Sequence, residues 1–81
     1  MSNQQFNSDM DLRIEIAVNG DKREIAAGLN VLEMLMQLGI DPQRVAVELN
    51  RSIVSKSQWC ATPVEADAKV EIVEFVGGGW R

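Results

Sequence analysis

Between Leu12 and Val18 the chain alternates Leu12, Ile14, Ile16 and Val18 with Arg13, Glu15 and Ala17, and Asn19-Gly20 follows at once. A period of two puts the large apolar side chains on one face of an extended strand, and that face has to be buried. Asn-Gly accepts positive φ at both centres of a type I′ turn, whose twist suits a two-residue hairpin. Lys22 to Ala27 is thereby sent back as an antiparallel partner, with Arg23, Ile25 and Ala27 on one face and Lys22, Glu24 and Ala26 on the other. A lone hairpin is marginal in water, so the remaining residues must supply a cover.

Asn30, with Glu33 three positions later, is a variant of the capping box, and it predicts a helix from about Val31 to Leu38. Leu32, Leu35, Met36 and Gly39 fall at helical spacing to form its packing face, with Glu33 and Gln37 outward and Met34 and Met36 filling gaps on or beside that face. Gly39 and Asp41-Pro42 end it. Val45, Val47 and Leu49 alternate with Ala46, Glu48 and Asn50 as a third strand, and Ile53-Val54 is a short fourth. Gln58 to Val64 reads as an irregular connection or a single helical turn, limited by Pro63, before a last strand from about Ala68 to Val76. Two strands, a helix, then two or three strands make an α+β order, not a series of βαβ units.

With 81 residues, 46% of them hydrophobic, the chain can hold one modest core. Residues 1–11 are polar apart from Phe6 and the two methionines and read as a poorly ordered leader, so a single domain is expected over 12–76. One cysteine and no histidine allow no internal disulfide, no ordinary zinc cluster and no His-based triad, and no metal site is expected. Cys60 is expected to be a small buried hydrophobe beside Trp59, itself a packing residue at the core's edge. The net charge of -4 argues against a nucleic-acid partner, which needs clustered Lys and Arg, and favours a basic protein surface. No apolar run is long enough for a membrane span and Met1 to Met10 lack the features of a secretory signal, so the expectation is a cytoplasmic protein with no membrane partner.

In the last strand Ala68, Val70 and Ile72 share one face, while Lys69, Glu71, Val73 and Phe75 share the other. If the helix covers the first face, Val73 and Phe75 either form an exposed docking patch beside Gly77-Gly78-Gly79-Trp80-Arg81 or are covered by a loop. Three consecutive glycines lose too much entropy on ordering to be buried strand or helix, and residues 77–81 read as a flexible, nearly side-chain-free tail. Six extended residues beyond Phe75 reach about 20 Å, enough to enter a partner's active site. No nucleophile, base and orienting group occur together, so the chain reads as something acted upon and not as an enzyme.

Together these segments resemble the ubiquitin-like β-grasp proteins that are activated at their C-terminus, and within them the ThiS family of thiamine-biosynthesis sulfur carriers. The resemblance runs from about Leu12 to Gly79. It is carried by Val18-Asn19-Gly20, Val31-Leu32-Glu33-Met34-Leu35, Val45-Ala46-Val47-Glu48-Leu49-Asn50, Ile53-Val54, Gln58-Trp59 and, most specifically, Val70-Glu71-Ile72-Val73-Glu74-Phe75-Val76-Gly77-Gly78-Gly79. It implies a mixed sheet of four to five strands on one main helix, with no bound cofactor. It also implies that a ThiF-type adenylating enzyme uses ATP to attach AMP to the carboxylate of Gly79, that a sulfur donor converts the adenylate to a thiocarboxylate, and that thiazole synthase receives the sulfur. Gly77 and Gly78 would keep the arm slim. The family pattern usually stops at the glycines, whereas here Trp80-Arg81 follows and holds the Gly79 carbonyl in an amide, so a trimming protease is expected as a further partner. The same resemblance leaves room for a sulfur carrier of molybdopterin or amino-acid synthesis, or for a ubiquitin-like modifier. The molybdopterin proteins usually approach the glycines through a proline that is absent here, and a modifier would form isopeptide adducts on lysines.

Overall fold

The computed structural model describes residues 12–75. The expected leader and the segment holding Gly77, Gly78, Gly79, Trp80 and Arg81 lie outside the described residues. The strands are β1 (Arg13–Val18), β2 (Asp21–Ala26), β3 (Val45–Leu49), β4 (Ser52–Val54) and β5 (Lys69–Glu74), and the α-helix is α1 (Val31–Gln37). Single 3-10 segments cover Pro42–Arg44 and Lys56–Ala61. The sheet order is β2-β1-β5-β3-β4. At its centre β1 and β5 run parallel, while β1 with β2, β3 with β4 and β3 with β5 are antiparallel.

Both antiparallel hairpins turn on two residues of positive φ. Asn19 (φ +51°) and Gly20 (φ +88°) link β1 to β2 and set Val18 opposite Asp21, as the Asn-Gly signal predicts. Asn50 (φ +50°) and Arg51 (φ +74°) link β3 to β4 with Leu49 opposite Ser52, although Arg51 lacks the freedom of glycine in the left-handed region. The Asn50 side chain helps to hold that turn. Its Oδ1 accepts from the Lys69 N–H at 2.9 Å, while the Asn50 backbone N–H donates to the Lys69 carbonyl at 2.7 Å.

The helix begins with the full capping box. Asn30 Oδ1 accepts from the Glu33 N–H at 2.8 Å, and Glu33 Oε1 accepts from the Asn30 N–H at 2.9 Å. Asn30 Nδ2 also donates to the Cys60 carbonyl at 3.3 Å, so one side chain starts the helix and ties it to the second 3-10 segment. Replacing Asn30 with Ala should cost about 1–2 kcal/mol, read as a lower thermal midpoint with native circular dichroism at 20 °C. The expected packing face needs correcting: Val31, Met34 and Leu35 are fully buried, Leu32 and Leu38 half-buried, and Met36 is 64% exposed. At about 100° of turn per residue, Val31, Met34, Leu35 and Leu38 form one compact stripe. Met36 lies well off it, so of the two methionines only Met34 fills the core.

Ile16, Val18, Ile25, Val45, Val47 and Val70 on one side of the sheet meet the α1 stripe, with Trp59, Val64 and Ala68 closing the core. Trp59 is 4% exposed, and its indole Nε1–H donates to the Val54 carbonyl at 2.9 Å. Cys60 is exposed, contrary to the expectation of a buried thiol. A 3-10 segment turns by about a third of a circle per residue, so with Trp59 pointing inward its neighbour faces solvent.

Candidate functional site

Because α1 lies on one face of the sheet, the side chains of opposite parity are uncovered among the described residues. On β1 and β2 this outer face carries Arg13, Glu15, Lys22 and Glu24, all exposed. Towards β5, β3 and β4 it turns apolar. Val73 is 60% exposed and Ile53 79% exposed, and they line a shallow hollow with Ala46, Val47, Glu48 and Glu71. The register explains the grouping. Ala46 stands opposite Val73, while Glu48 stands opposite Glu71 on one side and Ile53 on the other. Like charges directly across strands are unfavourable, and neither carboxylate has an ion-pair partner among the described residues, where the one pair is Arg44 with Asp41 at 3.7 Å. The face therefore combines two bare aliphatic side chains with a local excess of negative charge.

Val73 is thus exposed on the face that the sequence assigns to it. Phe75 is half-buried at the end of β5, and its N–H donates to the Arg44 carbonyl at 2.7 Å. The hollow sits on the strand that leads into the glycine run. Sequence reasoning did not single out Ile53, Glu48 or Glu71 for this surface. The alternation in β3 already turns Ala46 and Glu48 away from the core, but assigning Ile53 to the same patch requires the β3–β4 register.

The far edge of β5 has its own fastening. β1 stops at Val18, whose parallel partner is Val70, yet β5 continues to Glu74. Asn19 extends the pairing: its N–H donates to the Val70 carbonyl at 2.8 Å, its Nδ2 donates to the Ile72 carbonyl at 3.1 Å, and its Oδ1 accepts from the Ile72 N–H at 2.7 Å. No group of three or more His, Cys, Asp or Glu among the described residues is placed to hold a metal ion. No described helix is long and apolar enough to cross a membrane.

A mixed five-stranded sheet with its first and last strands parallel at the centre, and one capped helix across one face, is a ubiquitin-like β-grasp domain. The ThiS family model matches residues 16–79, and the chain belongs to that family. A crystal structure of the thiamine biosynthesis protein ThiS from Geobacter metallireducens is similar, with a TM-score of 0.72 and 35% identity over 82% of this chain and all of that one. A thiazole synthase of Paramagnetospirillum magneticum is 41% identical over 66 residues, or 82% of this chain. That match takes up 20% of the synthase, so the chain spans about a fifth of the length of such relatives. The uncharacterized protein ycf40 of Porphyra purpurea is 30% identical over 66 residues, which is 93% of its length.

Proposed function

We propose that this domain is a sulfur carrier of thiamine biosynthesis whose reacting group is the carboxylate of Gly79. The observation that supports this most is that the family match runs through the glycine run to residue 79, directly beyond the central strand of the sheet. A free carboxylate is a poor acyl electrophile. In the proposed sequence a ThiF-type enzyme directs one carboxylate oxygen to the α-phosphorus of ATP, pyrophosphate leaves, and an acyl adenylate forms. Sulfide delivered by a sulfur donor then attacks the acyl carbon, AMP leaves with the electron pair of the broken C–O bond, and a thiocarboxylate remains. Thiazole synthase is the proposed acceptor, in keeping with the thiazole synthases among the relatives. ATP belongs to the activating enzyme, and the carrier holds no cofactor of its own. The cytoplasm is the proposed compartment.

Gly77 and Gly78 bring no side chain into the channel that must admit Gly79. Trp80 follows, so the Gly79–Trp80 bond must be hydrolysed before activation, which calls for a protease. The intact mass of the protein isolated from its native cells tests the reading. Chains ending at Gly79, with a fraction heavier by the difference between sulfur and oxygen, would support it. Chains that keep Trp80 under conditions of high thiamine demand would overturn it, and a ladder of isopeptide conjugates would point to a modifier instead.

The proposed docking surface is the outer hollow, with Val73 and Ile53 as anchors, Phe75 at its edge, and Glu48 and Glu71 facing basic groups of the partner. Ile53→Glu and Val73→Asp should each weaken binding of the activating enzyme about tenfold, the scale set by burying one aliphatic side chain. Both positions are exposed, so thermal midpoints should stay close to the parent's. Titration calorimetry with unchanged affinity would remove this face from the interface.

A further inference from the structure

The Asn19 carboxamide does what a strand residue would do. Its donor and its acceptor engage the carbonyl and the N–H of the same residue, Ile72, in line with the parallel ladder that β1 has just left. Among the described residues, Ile72 is consequently the last of β5 held on the β1 edge. On the β3 edge the Phe75 N–H donates to the Arg44 carbonyl. Alternation along the strand turns the N–H and carbonyl of Glu74 toward the β1 side, past the reach of Asn19. The end of β5 is therefore fastened on both of its edges among the described residues.

We infer that Asn19 is a positioning residue for the carrier's activation: by clamping Ile72 it orders the end of β5, which precedes the glycine run in sequence, for the partner that meets it. The inference rests on the reading that Gly79 is the activated residue. With Ile72 held on both edges the end of β5 is ordered before the partner binds, whereas an end held by β3 alone must be ordered on binding, and that ordering raises the concentration of carrier needed. Asn19 suits the double role. It accepts the left-handed backbone of the turn, and its amide carries both a donor and an acceptor, which aspartate and glycine do not.

The test uses protein ending at Gly79 and the ATP-dependent activating enzyme, followed by pyrophosphate release. Asn19→Gly keeps the turn and the backbone bond to Val70 but removes the clamp. Asn19→Asp keeps only the acceptor for the Ile72 N–H. Asn30→Ala serves as a control that lowers stability through the helix cap. The expected result is faster hydrogen exchange at the Ile72 amide in Asn19→Gly and a KM for the carrier raised about tenfold, with kcat within about twofold of the parent. Asn19→Asp should lie between them, and Asn30→Ala should leave KM unchanged. An unchanged KM for Asn19→Gly, or an equal rise in Asn30→Ala at the same loss of stability, would overturn the positioning role. Absence of any adenylation of the parent would overturn the carrier reading, and this inference with it.

Discussion

Protein ending at Gly79 should form an acyl adenylate with ATP and the activating enzyme, and the same protein with Gly79 still joined to Trp80 should form none. The expected difference is all or none because the reacting nucleophile changes identity. A terminal carboxylate offers a full negative charge shared by two oxygens to the α-phosphorus of ATP. The carbonyl oxygen of the Gly79–Trp80 amide carries only a partial charge, and its attack would leave an imidate with no productive path to a thioacid. Size acts in the same direction, since a channel wide enough for glycine does not admit an indole. Pyrophosphate release, measured with both proteins at equal concentration, checks the result. Equal rates would mean that Gly79 is not the residue activated, and would send the search for the reacting group elsewhere in the chain.

The second large effect is on folding. Trp59→Ala should destabilise the domain by about 3–5 kcal/mol, through the cavity that it opens and through the Val54 carbonyl that loses its donor. Small domains hold only about 5–15 kcal/mol in all, so the variant should melt about 20 °C or more below the parent, or be largely unfolded at 37 °C. Trp59→Phe separates the two contributions. It keeps most of the apolar volume, so its smaller loss reports chiefly the missing indole hydrogen bond. Thermal unfolding followed by circular dichroism provides the measurement. A loss below about 1 kcal/mol in Trp59→Ala would show that the second 3-10 segment collapses onto the site and that the ring is dispensable.

Much of this fold is written in short-range chemistry. The alternation from Ile14 to Val18, the Asn19-Gly20 turn and the Asn30–Glu33 box each act within a few residues, and each is found where the sequence puts it. The phase of a helix is harder to read when apolar residues surround it. Leu32 and Met36 compete on paper with Val31 and Met34, and only the position of the sheet decides between them. Cys60 escaped for a related reason, because the inward turn of Trp59 fixes the direction of its neighbour only once the segment is known to be 3-10. The outer hollow was half legible: Val73 follows from parity along β5, but Ile53 joins it through cross-strand register. The clamp at Asn19 was not legible at all. In the sequence that residue is fully accounted for as a turn former, and its second partner lies 53 residues away. The role of the glycine run came from family resemblance more than from local physics, since three glycines by themselves fit a linker equally well.

The place of β5 at the centre of the sheet also bears on how the domain is completed during synthesis. A nascent chain that has not yet released residues 69–74 from the ribosome has two separate hairpins and a helix, with no strand between β1 and β3. Its core lacks Val70, and its outer hollow lacks Val73 and Glu71. The strand that completes the domain is also the strand that directly precedes the glycine run. A chain cut short before β5 therefore presents neither a closed core nor a complete outer face, whereas one translated through Glu74 gains both together.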